Sequence, residues 1–395
     1  MSSFLPTVDV VITLHNGAAW IQDTLDAVRS QSHPPAEILV VDDHSTDDGP
    51  ALAASIPGVT VMPLPTPSRN SPAPGRRLGF ERTTSPFVAF LDQDDLWHPD
   101  HLRLLATTLA EHPSAPAALS LTRPFLDGHP PSYDAPRLAP APVDLWTHFP
   151  LSPIWTPSSV LVRRTALDAI GGWPTVGPIT DFLTWFHLST RHPFIENRST
   201  TCAYRRHLFS HSTDTNSRHR ATYLQYMADV LAPLIPERAR FHPAPTDRLQ
   251  IRLNALRACG LLVAAYDTGT SAPLSEATPA LERLAKTEPA FFDRLVTFLF
   301  RYFLEPSFTG PPEEQIGFLD RLLATWPPSA PESKRHLETL FVPSLSMWAF
   351  LAFLRHNPFH WYRWSLVISA ARWRLQNRWT RLRGAVRRPT SPPSR

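Results

Sequence analysis

The sequence is poor in cysteine, in basic residues at its amino terminus and in long apolar runs. Its 395 residues include only Cys202 and Cys259, too few for a disulfide framework, so a reducing compartment is expected. The first seven residues contain no lysine or arginine, and the apolar run after them is short, which does not match a signal peptide. No stretch approaches the roughly 18 uncharged apolar residues of a membrane-spanning helix. The sequence therefore predicts a cytoplasmic protein, or one that rests peripherally on the cytoplasmic face of a membrane.

The final segment of the chain lacks acidic residues. Residues 355–395 contain ten arginines and neither aspartate nor glutamate, whereas the whole chain has a formal net charge of +3. Removing ten positive charges from +3 leaves −7 for the other residues. Such an asymmetry indicates an anionic partner for this segment. No nucleic-acid recognition motif accompanies the arginines, so nucleic acid is not the expected partner.

Apolar residues within this basic segment recur every three or four positions, and arginines fill much of the remainder. They are Trp361, Trp364, Ile368, Ala371, Leu375, Trp379, Leu382 and Val386. A helix with one aromatic face and one basic face is typical of segments that lie in an anionic membrane surface. We therefore expect residues 361–388 to rest on such a surface. A helix packed against the preceding region, with its arginines in solvent, is the alternative.

Apolar runs that favour strands alternate with helical patterns over the first half of the chain. The strand-like runs span 8–12, 37–41, 59–62, 87–91, 117–121, 159–162 and 201–205. Helical patterns span 18–31, 164–170 and 181–190, and another begins at Pro99. This alternation predicts an α/β domain with a mixed, mostly parallel sheet flanked by helices.

Beyond about Arg218 the strand-like runs end. Helices are predicted at 249–265, 279–286, 290–304 and 314–326, with linkers rich in proline, glycine and serine between them. Thr278 and Pro279 are a suitable cap and first residue for the second of these helices. The predicted organisation is an α/β domain at 1–215, an all-helical accessory domain at 216–350 and a basic amphipathic helical tail at 351–395.

Two acidic clusters follow directly after strand-like runs. One consists of Asp42 and Asp43, the other of Asp92, Asp94 and Asp95. Because ligands bind beyond the carboxyl ends of the strands in an open α/β sheet, the two clusters are expected to face one crevice. Carboxylates packed so densely repel one another, so a hard divalent cation, Mg²⁺ or Mn²⁺, is predicted there together with substrate phosphates. Capping of a nearby helix by Asp94 or Asp95 is the structural alternative.

Five segments in chain order resemble the landmarks of family 2 glycosyltransferases. They are the opening strand at 8–16, Gln31 with the strand and turn at 37–47, the Phe-Leu-Asp-Gln-Asp-Asp-Leu-Trp-His-Pro string at 90–99, Gly-Gly-Trp at 171–173, and Tyr-Arg-Arg-His at 204–207. Five motifs in the right order are a strong signal, whereas one alone is weak. The resemblance extends over about residues 7–212, roughly half of the chain.

The resemblance implies a Rossmann-like GT-A fold, a nucleotide diphosphate sugar as donor and inversion at the anomeric carbon. Donor binding is implied for Thr13, Leu14, His15, Asn16, Asp42, Asp43, Arg76 and Asp92. Thr13 and His15 would border the base, and Asp43 would accept a hydrogen bond from it. Asp92 would lie near the ribose. Metal binding is implied for Asp94 and His207, with an ordinary surface histidine as the alternative for His207.

The catalytic base is implied in the same way. Inverting transfer needs a carboxylate that takes the proton of the attacking hydroxyl. The family usually supplies it in a Glu-Asp pair, and this chain has Thr180 and Asp181 there, so Asp181 is the predicted base. The alternative is an acid in the first turn of a helix at 181–190, where negative charge is favourable. Acceptor contacts are expected at Trp97, Gly172 and Trp173, with core packing as the alternative for both tryptophans.

The function that these observations favour is a metal-dependent, inverting glycosyltransferase of the hexosyltransferase type. It would transfer a single sugar to a glycan or a lipid-linked acceptor, as in polysaccharide biosynthesis for the cell envelope. Two alternatives remain open. One is a non-catalytic nucleotide-sugar-binding or scaffold protein, in which Thr180 marks a decayed site. The other is a nucleotidyltransferase, which shares the α/β layout and the carboxylate–metal chemistry.

Overall fold

The computed structural model describes eight stretches of the chain and two single residues further on. The stretches are 5–68, 71–134, 139–151, 156–175, 179–207, 220–242, 246–268 and 272–299, and the single residues are Arg321 and Ala324. The predicted tail at 351–395 lies outside the described residues, as does the predicted helix at 314–326 apart from those two positions. The chain divides into two compact units, Met1–Asp214 with Met227–Gln250, and Thr215–Tyr226 with Ile251–Arg395. The domain boundaries expected at 215 and 350 stay predictions.

The first unit is built on one mixed, mostly parallel sheet. Its strands within the described residues are β1 (Val8–Leu14), β2 (Glu37–Asp42), β3 (Val59–Pro63), β4 (Phe87–Asp92), β5 (Leu96–Trp97), β6 (Ala117–Leu126), β7 (Ala141–Val143), β8 (Val160–Arg163) and β9 (Phe194–Arg206). Their order is β3-β2-β1-β4-β8-β6-β9-β5, and β7 pairs with β9. Pairs β1–β2, β1–β4, β2–β3 and β6–β9 are parallel, whereas β5, β7 and β8 run antiparallel to their neighbours. The predicted fold class is confirmed.

Helices flank this sheet and continue after it. They are α1 (Ile21–Arg29), α2 (Gly49–Ala54), α3 (Ala73–Arg82), α4 (His101–Glu111), α5 (Arg164–Ala169), α6 (Thr180–Leu188), α7 (Arg220–Leu231), α8 (Leu234–Ala239), α9 (Thr246–Thr268), α10 (Ala272–Thr287) and α11 (Pro289–Leu299). The start that Thr278 and Pro279 predict is wrong, because both residues lie inside α10. The Thr278 hydroxyl instead donates to the carbonyl of Leu274 at 2.6 Å, a bond that threonine forms readily within helices.

The central strands are buried on both faces, which is why they read as continuous β-branched runs. One face packs against α1 and α4. Its buried side chains include Val10, Ile12, Val40, Ala89, Ile21, Leu25, Leu102 and Leu105. The other face carries α3, whose backbone comes so close that a Cβ on Gly79 would lie 2.3 Å from Cγ1 of Val11. The sheet is therefore a rigid layer whose parallel strands end together.

The second unit is helical where it is described. Arg252 on α9 pairs with Glu288, which follows α10, and both side chains are about nine-tenths buried. The guanidinium of Arg252 also lies 3.9 Å from the ring centre of Phe291. In the described part of the chain, no helix is long and apolar enough to cross a membrane.

Candidate functional site

The loops after β1, β2 and β4 form one edge of the sheet, here called the carboxyl edge. Strand register aligns Leu14 with Asp42 and Thr13 with Asp92, so the three strands end at one level. The His15 N–H donates to Oε1 of Gln93 at 2.7 Å, and Nε2 of Gln93 donates to the His15 carbonyl at 3.1 Å. This reciprocal pair ties the first and fourth strand ends together. The two acidic clusters therefore face one region, as the sequence predicts.

The β1 and β2 loops supply the side on which a nucleotide base is predicted. The exposed His15 ring is held by Nδ1, which lies 2.7 Å from the carbonyl of Asp43. The Asp43 carboxylate accepts hydrogen bonds from the N–H and the hydroxyl of Ser68. A carboxylate offers about four lone pairs, so Asp43 keeps acceptor capacity for a ligand.

Three other predicted donor residues contribute mainly through the backbone or the turn. Leu14 is buried, and its carbonyl accepts the N–H of Asp43 at 2.8 Å. Asn16 has a positive φ of 50° and accepts the N–H of Thr46 at 2.8 Å through its side-chain oxygen. Asp42 accepts the N–H of Ser45 at 3.2 Å. These bonds shape the turn, and Thr13 lies at its base, half-buried at the end of β1.

Asp92 is held by a buried arginine. Nη2 of Arg76 lies 2.6 Å from Oδ1 of Asp92, and the Arg76 side chain is only 7% exposed. The guanidinium also lies 5.2 Å from the ring centre of Trp173. Thr156 Oγ1 is 3.1 Å from the other Asp92 oxygen, and the Asp92 N–H donates to Oγ of Ser158. The Asp92 side chain, 26% exposed, thus keeps a fixed orientation with one side open.

Asp94 and His207 meet although they are far apart in the sequence. Nε2 of His207 lies 2.8 Å from Oδ2 of Asp94. Burial raises the pKa of the Asp94 carboxyl, and the charge of Asp92 raises it further. A cation at this position would relieve both effects, because it favours the ionised carboxylate.

The donor chemistry of this pair fits a divalent metal. Within the described residues there is no cluster of three or more histidine, cysteine, aspartate or glutamate side chains that could hold a metal ion. Asp94 and His207 nevertheless offer one oxygen and one nitrogen donor. Mg²⁺ and Mn²⁺ sites in nucleotide enzymes often use one or two protein ligands, with substrate phosphates and water as the others. The pair therefore fits a metal that arrives with a diphosphate.

Asp95 is an internal support and does not cap a helix. Its carboxylate is fully buried, accepts the N–H of Arg205 at 3.1 Å and lies 3.1 Å from Oγ1 of Thr156. Burial, with the neighbouring charges of Asp94 and Asp92, raises its pKa well above the ordinary value. The alternative that Asp94 or Asp95 caps a helix is wrong, because α4 begins at His101 with no side-chain cap.

Asp181 lies in the first turn of α6 and is half-buried. The preceding Thr180 is buried, and Nε1 of Trp173 lies 3.4 Å from its hydroxyl. Trp173 also faces Arg76, so a chain of contacts runs from Asp92 through Arg76 and Trp173 to the start of α6. These contacts connect Thr180, the residue before Asp181, to the carboxyl edge, and the role of Asp181 as base stays a prediction.

The residues predicted on the acceptor side are all buried. Trp97 and Trp173 are 2% and 0% exposed, and the indole N–H of Trp97 donates to the carbonyl of Ser158 at 2.6 Å. Burial favours core packing for both rings. Gly172 has φ +83°, and the neighbouring carbonyl of Gly171 accepts a hydrogen bond from Arg77 at 2.5 Å. Contact of these residues with an acceptor stays a prediction.

Several residues of the site were not predicted from the sequence. They are Trp20, Ser68, Arg77, Thr156, Ser158 and Arg205. Thr156 and Ser158 lie in a proline-rich stretch with no apolar periodicity, so no pattern indicates them. Trp20 stacks on His207 with ring centres 4.0 Å apart. The sequence offered one signal for Trp20, which is the lone aromatic residue in the polar segment after the first strand.

Comparison with known proteins finds a family model and relatives that match part of the chain. The model of the glycosyl transferase family 2 matches residues 9–149. The putative teichuronic acid biosynthesis glycosyltransferase TuaG of Bacillus subtilis (strain 168) is 33% identical over 104 residues, which are 26% of this chain and 41% of that protein. The succinoglycan biosynthesis protein ExoO of Rhizobium meliloti (strain 1021) is 33% identical over 99 residues, 25% of this chain and 28% of that protein. The chain thus matches less than half the length of each of these relatives.

A solved structure resembles this chain in fold over most of its length. The crystal structure of S. aureus TarS residues 1–349 in complex with UDP-GlcNAc aligns with a TM-score of 0.50 at 16% identity. The alignment includes 86% of this chain and 86% of that one. At such an identity the likeness concerns the fold alone.

Proposed function

We propose that the chain is a family 2 glycosyltransferase and that it transfers one sugar from a nucleotide diphosphate sugar with inversion. The match of residues 9–149 to the model of glycosyl transferase family 2, and the likeness of the fold to the TarS structure, support this proposal. The acceptor we propose is a glycan or a lipid-linked glycan of the cell envelope. Two relatives named for teichuronic acid and succinoglycan biosynthesis support a polysaccharide as the acceptor class.

The observation that carries the proposal is the arrangement of Asp92 and Asp94 at the carboxyl edge. Asp92 is fixed by Arg76, and Asp94 faces His207, so the two carboxylates have separate partners. Beside them, the exposed His15 ring offers a flat face and Asp43 offers free acceptor capacity for a base. A nucleotide would find a base contact, a ribose contact and a metal–diphosphate contact along one edge of the sheet.

The proposed chemistry follows from these positions. Asp181 takes the proton of the acceptor hydroxyl as that oxygen attacks the anomeric carbon. The bond between the anomeric carbon and the diphosphate oxygen breaks, and the nucleoside diphosphate leaves. A divalent ion held by Asp94 and His207 would neutralise charge that develops on the leaving diphosphate. Arg76 keeps Asp92 oriented throughout.

Product release tests the enzymatic proposal. Wild-type protein is incubated with a panel of nucleotide sugars and Mn²⁺, and nucleoside diphosphate is quantified beside Asp94→Asn and Asp181→Asn. Loss of a general base typically costs about 100-fold or more, so we expect at least that loss for Asp181→Asn. The matched control is Asp168→Asn, on an exposed carboxylate of α5, with expected wild-type rates.

The outcomes separate the alternatives. Equal rates in all four proteins across the donor panel would remove the enzymatic proposal. Tight donor binding without turnover would favour the scaffold alternative. Release of pyrophosphate from a nucleoside triphosphate, in place of nucleoside diphosphate from a nucleotide sugar, would favour the nucleotidyltransferase.

Ligand-induced stabilisation tests the donor site independently of turnover. Binding to the folded state stabilises it by about 2.7 kcal/mol when the ligand is at 100 times its Kd. We expect nucleoside diphosphates to raise Tm more with Mn²⁺ than without it, and Asp94→Asn to abolish that metal-dependent part. An equal shift with and without Mn²⁺ in the wild type would contradict the metal assignment.

We also propose that the enzyme works at an anionic membrane surface, on which residues 361–388 rest. The support is the sequence of the tail, with its ten arginines and regularly spaced apolar residues. Lipid-linked acceptors are concentrated at such a surface, so the two parts of the proposal agree.

A further inference from the structure

The indole ring of Trp20 packs directly on the imidazole of His207. The two ring centres are 4.0 Å apart and the planes differ by 24°. Trp20 is 9% exposed, and the His207 side chain is 7% exposed. The ring that faces Asp94 is therefore held between the carboxylate at its edge and an aromatic surface on its face.

Trp20 is itself anchored by a closed circuit of contacts. Asp127 accepts hydrogen bonds from Trp20 and from Nη1 of Arg205, the latter at 2.7 Å. Nε of Arg205 donates to the backbone carbonyl of Asp94 at 2.8 Å. His207 then closes the circuit between Asp94 and Trp20. The circuit joins Trp20 before α1, Asp94 after β4, Asp127 after β6, and Arg205 and His207 at the end of β9.

We propose that Trp20 is a positioning residue, which acts through His207 to set the affinity of the Asp94–His207 pair for a divalent cation with its nucleoside diphosphate. The inference rests on the proposed function. Stacking fixes the imidazole plane so that Nε2 stays directed at Asp94. The face of an indole carries negative charge density, which also favours an imidazole that becomes electron-poor on a metal. Partners that orient a ligating histidine commonly change metal affinity about 10- to 100-fold when they are removed.

Metal binding to the full chain provides the test. Mn²⁺ affinity is measured by electron paramagnetic resonance, with and without UDP or GDP, for wild type, Trp20→Leu, Trp20→Phe and His207→Gln. We expect Trp20→Leu to weaken nucleotide-dependent Mn²⁺ binding about tenfold or more. Trp20→Phe keeps an aromatic face and should restore most of the affinity. Nucleotide binding without metal should be the same in wild type and Trp20→Leu.

A double variant shows whether Trp20 acts through His207. If it does, Trp20→Leu combined with His207→Gln binds Mn²⁺ no more weakly than His207→Gln alone, because the two effects are not additive. Additive losses would overturn the inference. The matched control is Trp146→Phe, in a core stack with Phe149, which should leave Mn²⁺ affinity unchanged.

Two further measurements distinguish failure of this inference from a folding defect and from failure of the proposed function. Ligand-free Tm reports whether Trp20→Leu folds; if it does not, Asp127→Ala, at a half-exposed position, removes the acceptor that anchors Trp20 and should weaken Mn²⁺ binding. Wild-type Mn²⁺ affinity in a folded Trp20→Leu or Asp127→Ala would overturn the inference and leave the proposed function intact. Absence of nucleotide-dependent Mn²⁺ binding in the wild type would also overturn the inference. The proposed function is tested separately, by release of nucleoside diphosphate from nucleotide sugars.

Discussion

Three carboxylates in the turn after β4 differ in what surrounds each of them. Asp92 faces the guanidinium of Arg76, Asp94 faces His207, and the buried Asp95 accepts the backbone N–H of Arg205. A single string of acidic residues thus separates into an ion-paired, an imidazole-paired and a buried carboxylate. Their identity was predictable from the sequence, but this division was not, because it depends on partners that only folding brings together. Arg76 is 16 positions from Asp92, and His207 and Arg205 are more than a hundred positions from Asp94 and Asp95.

The Arg76–Asp92 pair gives a prediction on stability. Arg76→Gln leaves Asp92 without its buried cation, and removal of one partner from a buried pair costs about 3–5 kcal/mol. We expect a loss near the lower figure, since Asp92 is 26% exposed. The matched control is Arg103→Gln, in an exposed pair with Asp100, where about 1 kcal/mol or less is expected. Urea denaturation checks both values, and equal losses in the two variants would contradict the burial argument.

His101 gives a prediction on pH dependence. Burial lowers the pKa of its imidazole to about 3 from 6.5. Below pH 6.5 the unfolded chain binds a proton that the folded protein refuses, so stability falls as the pH drops from about 6.5 towards 3. The penalty is about 2 kcal/mol at pH 5.

His101→Phe should remove this part of the pH dependence. The free energy of unfolding, measured in urea between pH 7.5 and pH 5, should fall less steeply in the variant than in the wild type. The control is His192→Gln, at an exposed position, which should keep the wild-type slope. A wild-type slope in His101→Phe would show that the folded protein accepts the proton at this position.

At the scale of elements, burial pattern decides which helices and strands were predictable. The strands β1, β2 and β4 are buried on both faces, and their apolar runs predict them directly. The helix α3 was not predicted because its buried residues include only one large apolar side chain, Phe80, beside Ala73, Gly75, Gly79 and the charged Arg76, and these give no apolar periodicity. The first half of β9 was missed for a related reason, since its sequence from Glu196 to Thr200 is polar.

The close packing of α3 on β1 gives a prediction at this scale. In Gly79→Ala the added methyl group would lie 2.3 Å from Cγ1 of Val11, so helix and strand must move apart. Overpacking of this kind costs about 1–3 kcal/mol. We expect such a loss in urea denaturation, together with weaker nucleotide binding, because α3 carries Arg76.

The double variant Gly79→Ala with Val11→Ala tests the cause of that loss. It removes the methyl group that the new side chain meets, so it should lose less stability than the two single variants together. Purely additive losses would mean that the steric contact is not the cause.

At the scale of the whole molecule, the site is assembled from segments that the chain brings together only by folding. The sheet order places β9 far from β1, yet Trp20 after β1 stacks on His207 after β9. Strand-end arguments predict which loops share an edge, so they found the acidic clusters and the turn after β1. They do not predict contacts between side chains of different loops, so Trp20, Thr156 and Arg205 became visible only in the fold.

The charge distribution of the chain gives the last prediction, on binding to anionic membranes. Full-length protein should co-sediment with vesicles that contain anionic lipid, and much less with neutral vesicles. A chain that ends at Asn357 lacks nine of the ten arginines in the 355–395 segment and should stay in the supernatant. Each basic residue near an anionic surface contributes about 1 kcal/mol. The triple variant Arg372→Gln, Arg374→Gln and Arg378→Gln should therefore partition to anionic vesicles roughly 100-fold more weakly.

The triple variant separates charge from the apolar residues of the tail, which it leaves unchanged. If charge attracts the protein to the surface, high salt weakens binding of the wild type more than binding of the triple variant, because the variant keeps only seven of the ten arginines on which screening acts. Equal pelleting of the full-length and truncated chains would remove the membrane proposal. Turnover with a soluble glycan acceptor should be the same for both chains if the catalytic carboxylates lie entirely within the first unit.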